Sequence, residues 1–312
     1  MLSSVGSCSP VRYSPLVDGS DEADFLDDSR VLASNQAAIH CVFYALSHRR
    51  KPLQNPIVWV YGWGRRETIP PYIEACIETM FRNSDCTVRI VTPDNVHDYV
   101  EDLHPSFHLL KPPHQADVFR VNVLYRYGGM YLDADTIVLR GLSELFCQLD
   151  QVELVGANWK PKSIPAHLWQ EIGVSVLGPM RPRLPFMKCA AVKQKELLDS
   201  RQGSFSRGYP FCWEELLSPI VNHCFSQHPP NSLIRDGAST WFAYVSGPSW
   251  RGGDLGYAFQ PGDIPAGVEL FTIANSLVPD KWKSADKDQV IHSDTVIGQL
   301  LRIALNEKRL AT

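Results

Sequence analysis

Short apolar runs bounded by glycine or proline alternate along this chain with segments whose apolar residues recur every three or four positions. Ile57-Val58-Trp59-Val60-Tyr61 is apolar throughout and runs into Gly62-Trp63-Gly64, which predicts a strand covered on both faces and ending in a glycine loop. Pro70-Pro71 then opens a stretch from Tyr72 to Arg82 that sets Ile73, Cys76, Ile77 and Met80 on one helical face. Thr87-Val88-Arg89-Ile90-Val91-Thr92 reads as a second strand, closed by Pro93-Asp94-Asn95. Strand, helix and strand in this order begin an α/β sheet.

The next passage from helix to strand carries the candidate chemistry. Val118, Phe119, Val121, Val123, Leu124 and Tyr125 crowd together at roughly helical spacing, Gly128-Gly129 breaks the segment, and Met130-Tyr131-Leu132 resumes as a strand leading into Asp133-Ala134-Asp135. In an extended strand alternate side chains share a face, so Asp133 and Asp135 are expected to point the same way with Ala134 turned aside. Two carboxylates so placed suit Mg2+ or Mn2+, hard cations that commonly accompany a phosphate-bearing substrate. Asp117 and Arg120 lie three apart on the preceding helix, where they form either a surface ion pair of little energetic weight or part of the same site.

Past Arg140, Gly141 to Phe146 reads as a short amphipathic turn, and the region to about residue 290 is rich in Pro, Gly and Trp, which suits loops and short helices packed on a sheet. Within it Val174-Ser175-Val176-Leu177-Gly178 is expected to be a further central strand, and Pro185 to Val192 a helix. Val296 to Leu310 predicts a final amphipathic helix, capped by Ser293 or Asp294.

Composition narrows the function classes. A chain of 312 residues with 44% hydrophobic content supports one sizeable domain with insertions, and a net charge of −4 argues against nucleic acid as a partner. The eight cysteines show no paired metal-ligand spacing, and several lie in apolar segments, which reads as buried thiols in a reducing compartment. No apolar stretch is long enough for a transmembrane segment, and the acidic N-terminus, with Asp18, Asp21, Glu22 and Asp24, does not read as a signal peptide. Residues 1–30 are expected to be disordered, and 31–312 to form a single domain in a cytoplasmic protein, peripheral at a membrane or, if truncated, Golgi luminal.

The run from Asp117 through Arg120, Gly128-Gly129 and Tyr131 to Asp133 and Asp135 resembles the sugar-binding region of the DXD-containing glycosyltransferases of family 32. That group includes initiating mannosyltransferases, α-1,4-glycosyltransferases and capsular polysaccharide synthesis proteins, and the large clostridial glucosylating toxins share the region. The resemblance implies a GT-A type fold, a mixed central sheet flanked by helices, with residues 55–145 binding the nucleotide-sugar and 146–312 forming the acceptor side. It implies a metal-dependent, retaining transfer of sugar from a UDP- or GDP-sugar to a glycan or other hydroxyl acceptor, with Mn2+ or Mg2+ as cofactor. Trp59 would stack on the donor base, although it equally fits a buried core position. Asp117 would hold the ribose or sugar, Arg120 a sugar hydroxyl or phosphate, and Tyr131 would line the donor pocket. Asp133 would contact the sugar directly or through the metal, and Asp135 would bind the metal itself. The third metal ligand is expected from His292, with Asp294 as competitor, and Trp282 is expected near the phosphates. Two places depart from the family pattern: Leu184 stands where its His-Pro-Phe sequence has histidine, and Ser218-Pro219 where Gly-Pro is common.

Two other readings fit the same residues. Tyr131 to Thr136 also matches an apolar strand followed by Asp-x-Asp-x-Thr, as in haloacid-dehalogenase-type phosphatases, where Asp133 would be the nucleophile and Asp135 the acid/base. Against it, the motif lies well inside the chain, and Asp286 and Asp288, the later acidic pair, sit in a polar segment rather than at a strand end. A sugar-binding module without catalysis is the other.

Overall fold

The structure is a computed structural model that describes residues 56–62, 69–158, 172–174, 176–212, 215–236, 242–245, 268–273 and 278–306. The expectation for residues 1–30 lies outside them. Strand β1 (Ile57–Tyr61) is flanked by β2 (Thr87–Val91) and β3 (Gly129–Leu132) and runs parallel to both, with Trp59 opposite Tyr131 in register. A separate short strand, β4 (Thr136–Val138), follows β3 after a turn. The main sheet is completed by β5 (Leu154–Asn158), β6 (Val176–Met180) and β7 (Ser232–Asp236), in the order β2-β1-β3-β6-β5-β7. Since β6 is antiparallel to both β3 and β5, the sheet is mixed. Strand β4 joins a second sheet with β8 (Phe242–Val245) and β9 (Leu270–Ile273), in the order β4-β9-β8.

Each face of the main sheet is covered by helices because both sets of alternating strand residues are apolar. On one face Val58, Val60, Met130 and Leu132 pack with Tyr72, Ile73, Cys76 and Met80 of helix α1 (Pro71–Asn83). On the other, Trp59, Tyr61, Tyr131 and Leu177 meet Val118, Phe119 and Val121 of α2 (Pro112–Tyr127). Short α3 (Ser143–Cys147) joins the α1 side through Leu145 and Phe146. The α2 side also holds α4 (Pro185–Arg201) and α5 (Ser218–Gln227). Short helices α6 (Asp280–Lys283) and α7 (Lys287–Ile291) and the longer α8 (Val296–Leu305) pack on α1.

Several elements depart from their predicted bounds. Helix α4 continues well past Val192 to Arg201. The final helix stops at Leu305, where Asn306 turns left-handed at φ 56°, and its cap is the Thr295 side chain, which accepts from the Gly298 N–H, rather than Ser293 or Asp294. The thiol reading is also corrected. Cys189 of α4 and Cys224 of α5 form a disulfide with Cα atoms 5.7 Å apart, since two packed helices bring them together across 35 residues of sequence. Cys147 is disulfide-bonded as well, whereas Cys76, Cys86 and Cys212 are free.

Glycines shape the entry to β3. Helix α2 ends at Gly128, whose φ of 66° is cheap only without a Cβ, and an added Cβ would sit 2.6 Å from the Met180 carbonyl oxygen. Gly128→Ala is therefore expected to lower stability by about 1–3 kcal/mol, read as a shift of the urea midpoint at unchanged m-value. A midpoint equal to the parent's would show that the turn relaxes freely.

The α1 side is tied to the C-terminal helices by charge. Glu78 of α1 pairs with Arg82 one turn on at 2.5 Å and with Lys287 of α7. Chiefly the Lys287 hydrogen bond, opposed by partial burial and helped by Arg82, holds the Glu78 carboxyl below its usual range. A depressed carboxyl stabilises the fold above the unfolded-state pKa, about 4.3 for glutamate, and that contribution is lost as pH falls through the folded value. The stability gap between the parent and Glu78→Gln is expected to be full near neutrality and to close as pH falls below about 4.3. Denaturant titrations at several pH values would reveal a constant gap if the pairing carried no weight.

Candidate active site

Parallel β1, β2 and β3 end on one edge of the sheet, the edge at which α/β folds commonly place ligands. Strand β3 stops at Leu132, and Asp133-Ala134-Asp135 makes a turn closed by a 3.1 Å bond from the Thr136 N–H to the Asp133 carbonyl. The expected extended strand through both aspartates is thus replaced by a turn, because the chain leaves the main sheet there to enter β4 of the second sheet. Alternation along a strand no longer dictates that the two side chains share a face.

Asp133 faces the α2 layer. Its Oδ1 accepts from Arg120 Nη2 at 2.8 Å, and the Tyr131 hydroxyl also hydrogen-bonds to the carboxylate. The same Arg120 nitrogen lies 3.2 Å from Asp117 Oδ1, its Nη1 donates to the Val174 carbonyl at 2.7 Å, and the guanidinium carbon stands 4.3 Å from the centre of the Tyr131 ring. Arg120 and Asp117 are buried, so the surface ion pair allowed by their spacing is instead an interior triad. Burial opposes the charge on Arg120, but Asp133, with Tyr131 and Asp117, outweighs it and holds the proton more tightly than usual. For Asp133, burial pushes the carboxyl upward and exceeds the opposing pull of Arg120 and Tyr131.

Asp135 is buried at the far side of the turn, where its charge reaches Tyr72 and Cys76 of α1 as well as Tyr131. Burial first, and the Asp135 charge second, push the Cys76 thiol well up, so that thiol stays protonated near neutrality. The Asp135 backbone is fixed from the second sheet, its carbonyl accepting from the Ile273 N–H at 3.1 Å.

Other predicted site residues stand elsewhere. Trp59 is a core residue, 3% exposed, whose indole N–H donates to the Gly128 carbonyl at 2.9 Å and whose ring packs against Tyr99 and Tyr127. Its ring thus faces the start of β3, in the core position that the sequence also allowed. Tyr131 is 1% exposed and covered by Arg120, so it backs the site rather than lining an open pocket. His292 follows α7, its backbone N–H bonded to the Asp288 carbonyl, and its Nδ1 is buried with no hydrogen-bond partner. Among the described residues no group of three His, Cys, Asp or Glu side chains forms a metal cluster, so His292 is not gathered with the two aspartates. Asp294 is exposed beside it. Trp282 packs against the α1-side core with Lys281 Nζ 4.9 Å from its ring centre, the lysine-stem packing that its neighbours allow.

The first half of α2 carries further buried polar groups that sequence pattern alone left unassigned. Gln115 Oε1 accepts from the Tyr61 hydroxyl at 3.0 Å, and Gln194 of α4 donates to the carbonyls of Asp117 and Leu216. His114 Nε2 lies 3.0 Å from the Cys212 carbonyl, and its Nδ1 meets the Tyr209 hydroxyl. A carbonyl partner makes Nε2 the protonated nitrogen, leaving Nδ1 to accept from Tyr209. The available signal was polar residues in a helix whose neighbours Val118, Phe119 and Val121 already demanded burial on several sides.

Carboxylates thus gather around a buried arginine at the outgoing end of a parallel strand, in a mixed sheet covered by helices. The family described as capsular polysaccharide synthesis protein matches residues 30–235, which span most of the chain and this site, and the chain belongs to that family. Among curated proteins none matches the sequence. Solved structures similar to it include the PaToxG glycosyltransferase, at 13% identity over 65% of this chain and 81% of that one with a TM-score of 0.35. The apo form of the glycosyltransferase GlyE of Streptococcus pneumoniae TIGR4 is 15% identical over 81% of this chain and 60% of its own, with a TM-score of 0.44. A second GlyE structure is 12% identical over 83% and 66%, with a TM-score of 0.36. Likenesses this distant assign no role to any residue here.

Proposed function

We propose that the chain transfers a sugar from a nucleoside diphosphate sugar, UDP- or GDP-linked, to a hydroxyl of a glycan or similar acceptor, with retention at the anomeric carbon and with Mn2+ or Mg2+ bound. The observation that carries this reading is the Asp117-Arg120-Asp133 triad beside Asp135 at the end of β3. The donor set fits such an ion, since carboxylate oxygens are the ligands that hard divalent cations take. Asp135 and Asp133 would hold it, and the remaining ligands would come from water and the diphosphate. When bound, the ion offsets the charge that builds on the departing nucleoside diphosphate.

The chain's own residues prepare that site. Arg120 has both terminal nitrogens committed to Asp117, Asp133 and Val174, so it acts by fixing carboxylates more than by reaching a substrate. Tyr131 adds a hydrogen bond to Asp133 and an aromatic floor beneath the guanidinium, which excludes water from the ion pair. Asp133 is thereby held in a fixed geometry, as efficient positioning requires.

The test is release of nucleoside diphosphate from a panel of UDP- and GDP-sugars with Mn2+, with and without glycan acceptors, beside a simple phosphomonoester. Turnover of one nucleotide sugar, lost on chelation, is expected. Cleavage of the phosphomonoester alone would instead favour the phosphatase, and binding without turnover the inactive module.

A further inference from the structure

Away from the triad, the connection between β2 and α2 folds back on itself through two short turns of 3-10 helix, Val96–Asp98 and Pro105–Leu109. Each carries an exposed histidine, and the fold sets their outer ring nitrogens face to face: His97 Nε2 lies 3.1 Å from His108 Nε2, with ring centroids 5.3 Å apart. Between two neutral imidazoles such a contact is a hydrogen bond from the Nε2–H of one ring to the Nε2 lone pair of the other, with the rings in opposite tautomers.

The backbone holds this pair from both sides. The first turn is anchored by buried Val96 and by the Asn95 side chain, whose Oδ1 accepts from the Thr92 N–H at 2.7 Å. The second is anchored by buried Phe107 and by buried His104, whose Nδ1 accepts from the Ser106 N–H at 3.0 Å while its Nε2 pairs with Asp199 at 2.9 Å. Neither histidine is among these anchors, and both are exposed. Two imidazoles on one borderline metal ion, with metal–nitrogen bonds of about 2.0–2.1 Å, stand about 2.9–3.4 Å apart for square-planar to tetrahedral angles. The observed separation falls inside that window.

We infer that His97 and His108 form a two-histidine site for a borderline transition-metal ion such as Zn2+, separate from the carboxylate site, with water filling the remaining positions. Starting from two neutral rings, binding needs only that the donating ring move its proton from Nε2 to Nδ1, so that both Nε2 lone pairs meet the metal and no proton is released. The chemistry differs from that of Asp133 and Asp135, since imidazole favours zinc, nickel and copper whereas carboxylates suit magnesium and manganese. A bound ion would cross-link the two turns and steady the segment that leads into α2.

Calorimetric titration of the full chain with Zn2+ tests this. The parent is expected to bind one equivalent more than His97→Asn and one more than His108→Asn, whereas Asp135→Asn keeps that equivalent. A zinc-dependent rise in melting temperature should be present in the parent and reduced in each histidine variant. Equal zinc stoichiometry in the parent and both histidine variants would overturn the inference, as would an equivalent lost only with Asp135→Asn. Both histidines are exposed, so the variants are expected to match the parent in circular dichroism.

Discussion

Arg120→Ala is expected to be the most damaging single change to the fold, lowering stability by about 3–5 kcal/mol. The loss does not arise from the exposed part of an ion pair. Removing the guanidinium strips Asp117, which is buried, of its cation, deprives Asp133 of a 2.8 Å partner, frees the Val174 carbonyl and uncovers the Tyr131 ring. Buried carboxylates left without a cation either ionise at high cost or take up a proton. Adding Asp117→Asn to Arg120→Ala is therefore expected to recover part of the loss, a coupling that a double-mutant cycle measures directly. Arg120→Lys keeps the charge but not the planar fork that spans three partners, and should fall between parent and alanine. Equilibrium unfolding of this set decides the matter. A midpoint for Arg120→Ala within error of the parent's would mean that the triad contributes nothing to folding.

Asp135→Asn is expected to leave the fold intact and to reduce sugar transfer by at least about 100-fold, the scale of losing a main electrostatic stabiliser of the reaction. Asparagine is nearly the same size, keeps the backbone bond to Ile273 and replaces one carboxylate oxygen by an amide nitrogen, which removes the charge. Asp133→Asn provides the contrast, because its carboxylate is also the partner of Arg120 and its loss is expected to lower both activity and stability. Initial rates with a nucleotide sugar, measured beside thermal unfolding, separate the two variants. Normal turnover in a folded Asp135→Asn protein would remove that carboxylate from the chemistry.

How far these residues were legible in the sequence differs from element to element. The run Ile57 to Tyr61 announced β1 through unbroken apolarity, and Pro70-Pro71 with the spacing of Ile73, Cys76, Ile77 and Met80 announced α1. Gly128-Gly129 marked the boundary between α2 and β3 because its backbone needs positive φ. The turn after Leu132 was harder to see. Alternation assumes that a strand continues, and nothing local says that Thr136 will pair with Thr272, more than a hundred residues away. The burial of Arg120 was hidden for a related reason, since the Tyr131 ring that receives it comes from β3 and the Val174 carbonyl from the segment ahead of β6. Trp59 shows the reverse limit: an aromatic in a strand satisfies a core as readily as a ligand site, and only the carbonyl of Gly128 distinguishes the two. His292 follows α7, which packs on α1, while Asp133 is turned toward α2, an arrangement that no local pattern foretells.

The turn between β3 and β4 divides the aspartate pair between two sheets. Asp133 is registered to the main sheet through Arg120, while Asp135 is registered to the smaller one through Ile273, next to the side-chain contact between Thr136 and Thr272 at 3.3 Å. The separation of the two carboxylates is consequently a measure of how the sheets dock. A substitution such as Thr272→Val, on β9 and outside the carboxylate constellation, would act on the spacing of the two carboxylates, and through it on the proposed metal affinity, by moving one jaw of a vice whose other jaw stays fixed.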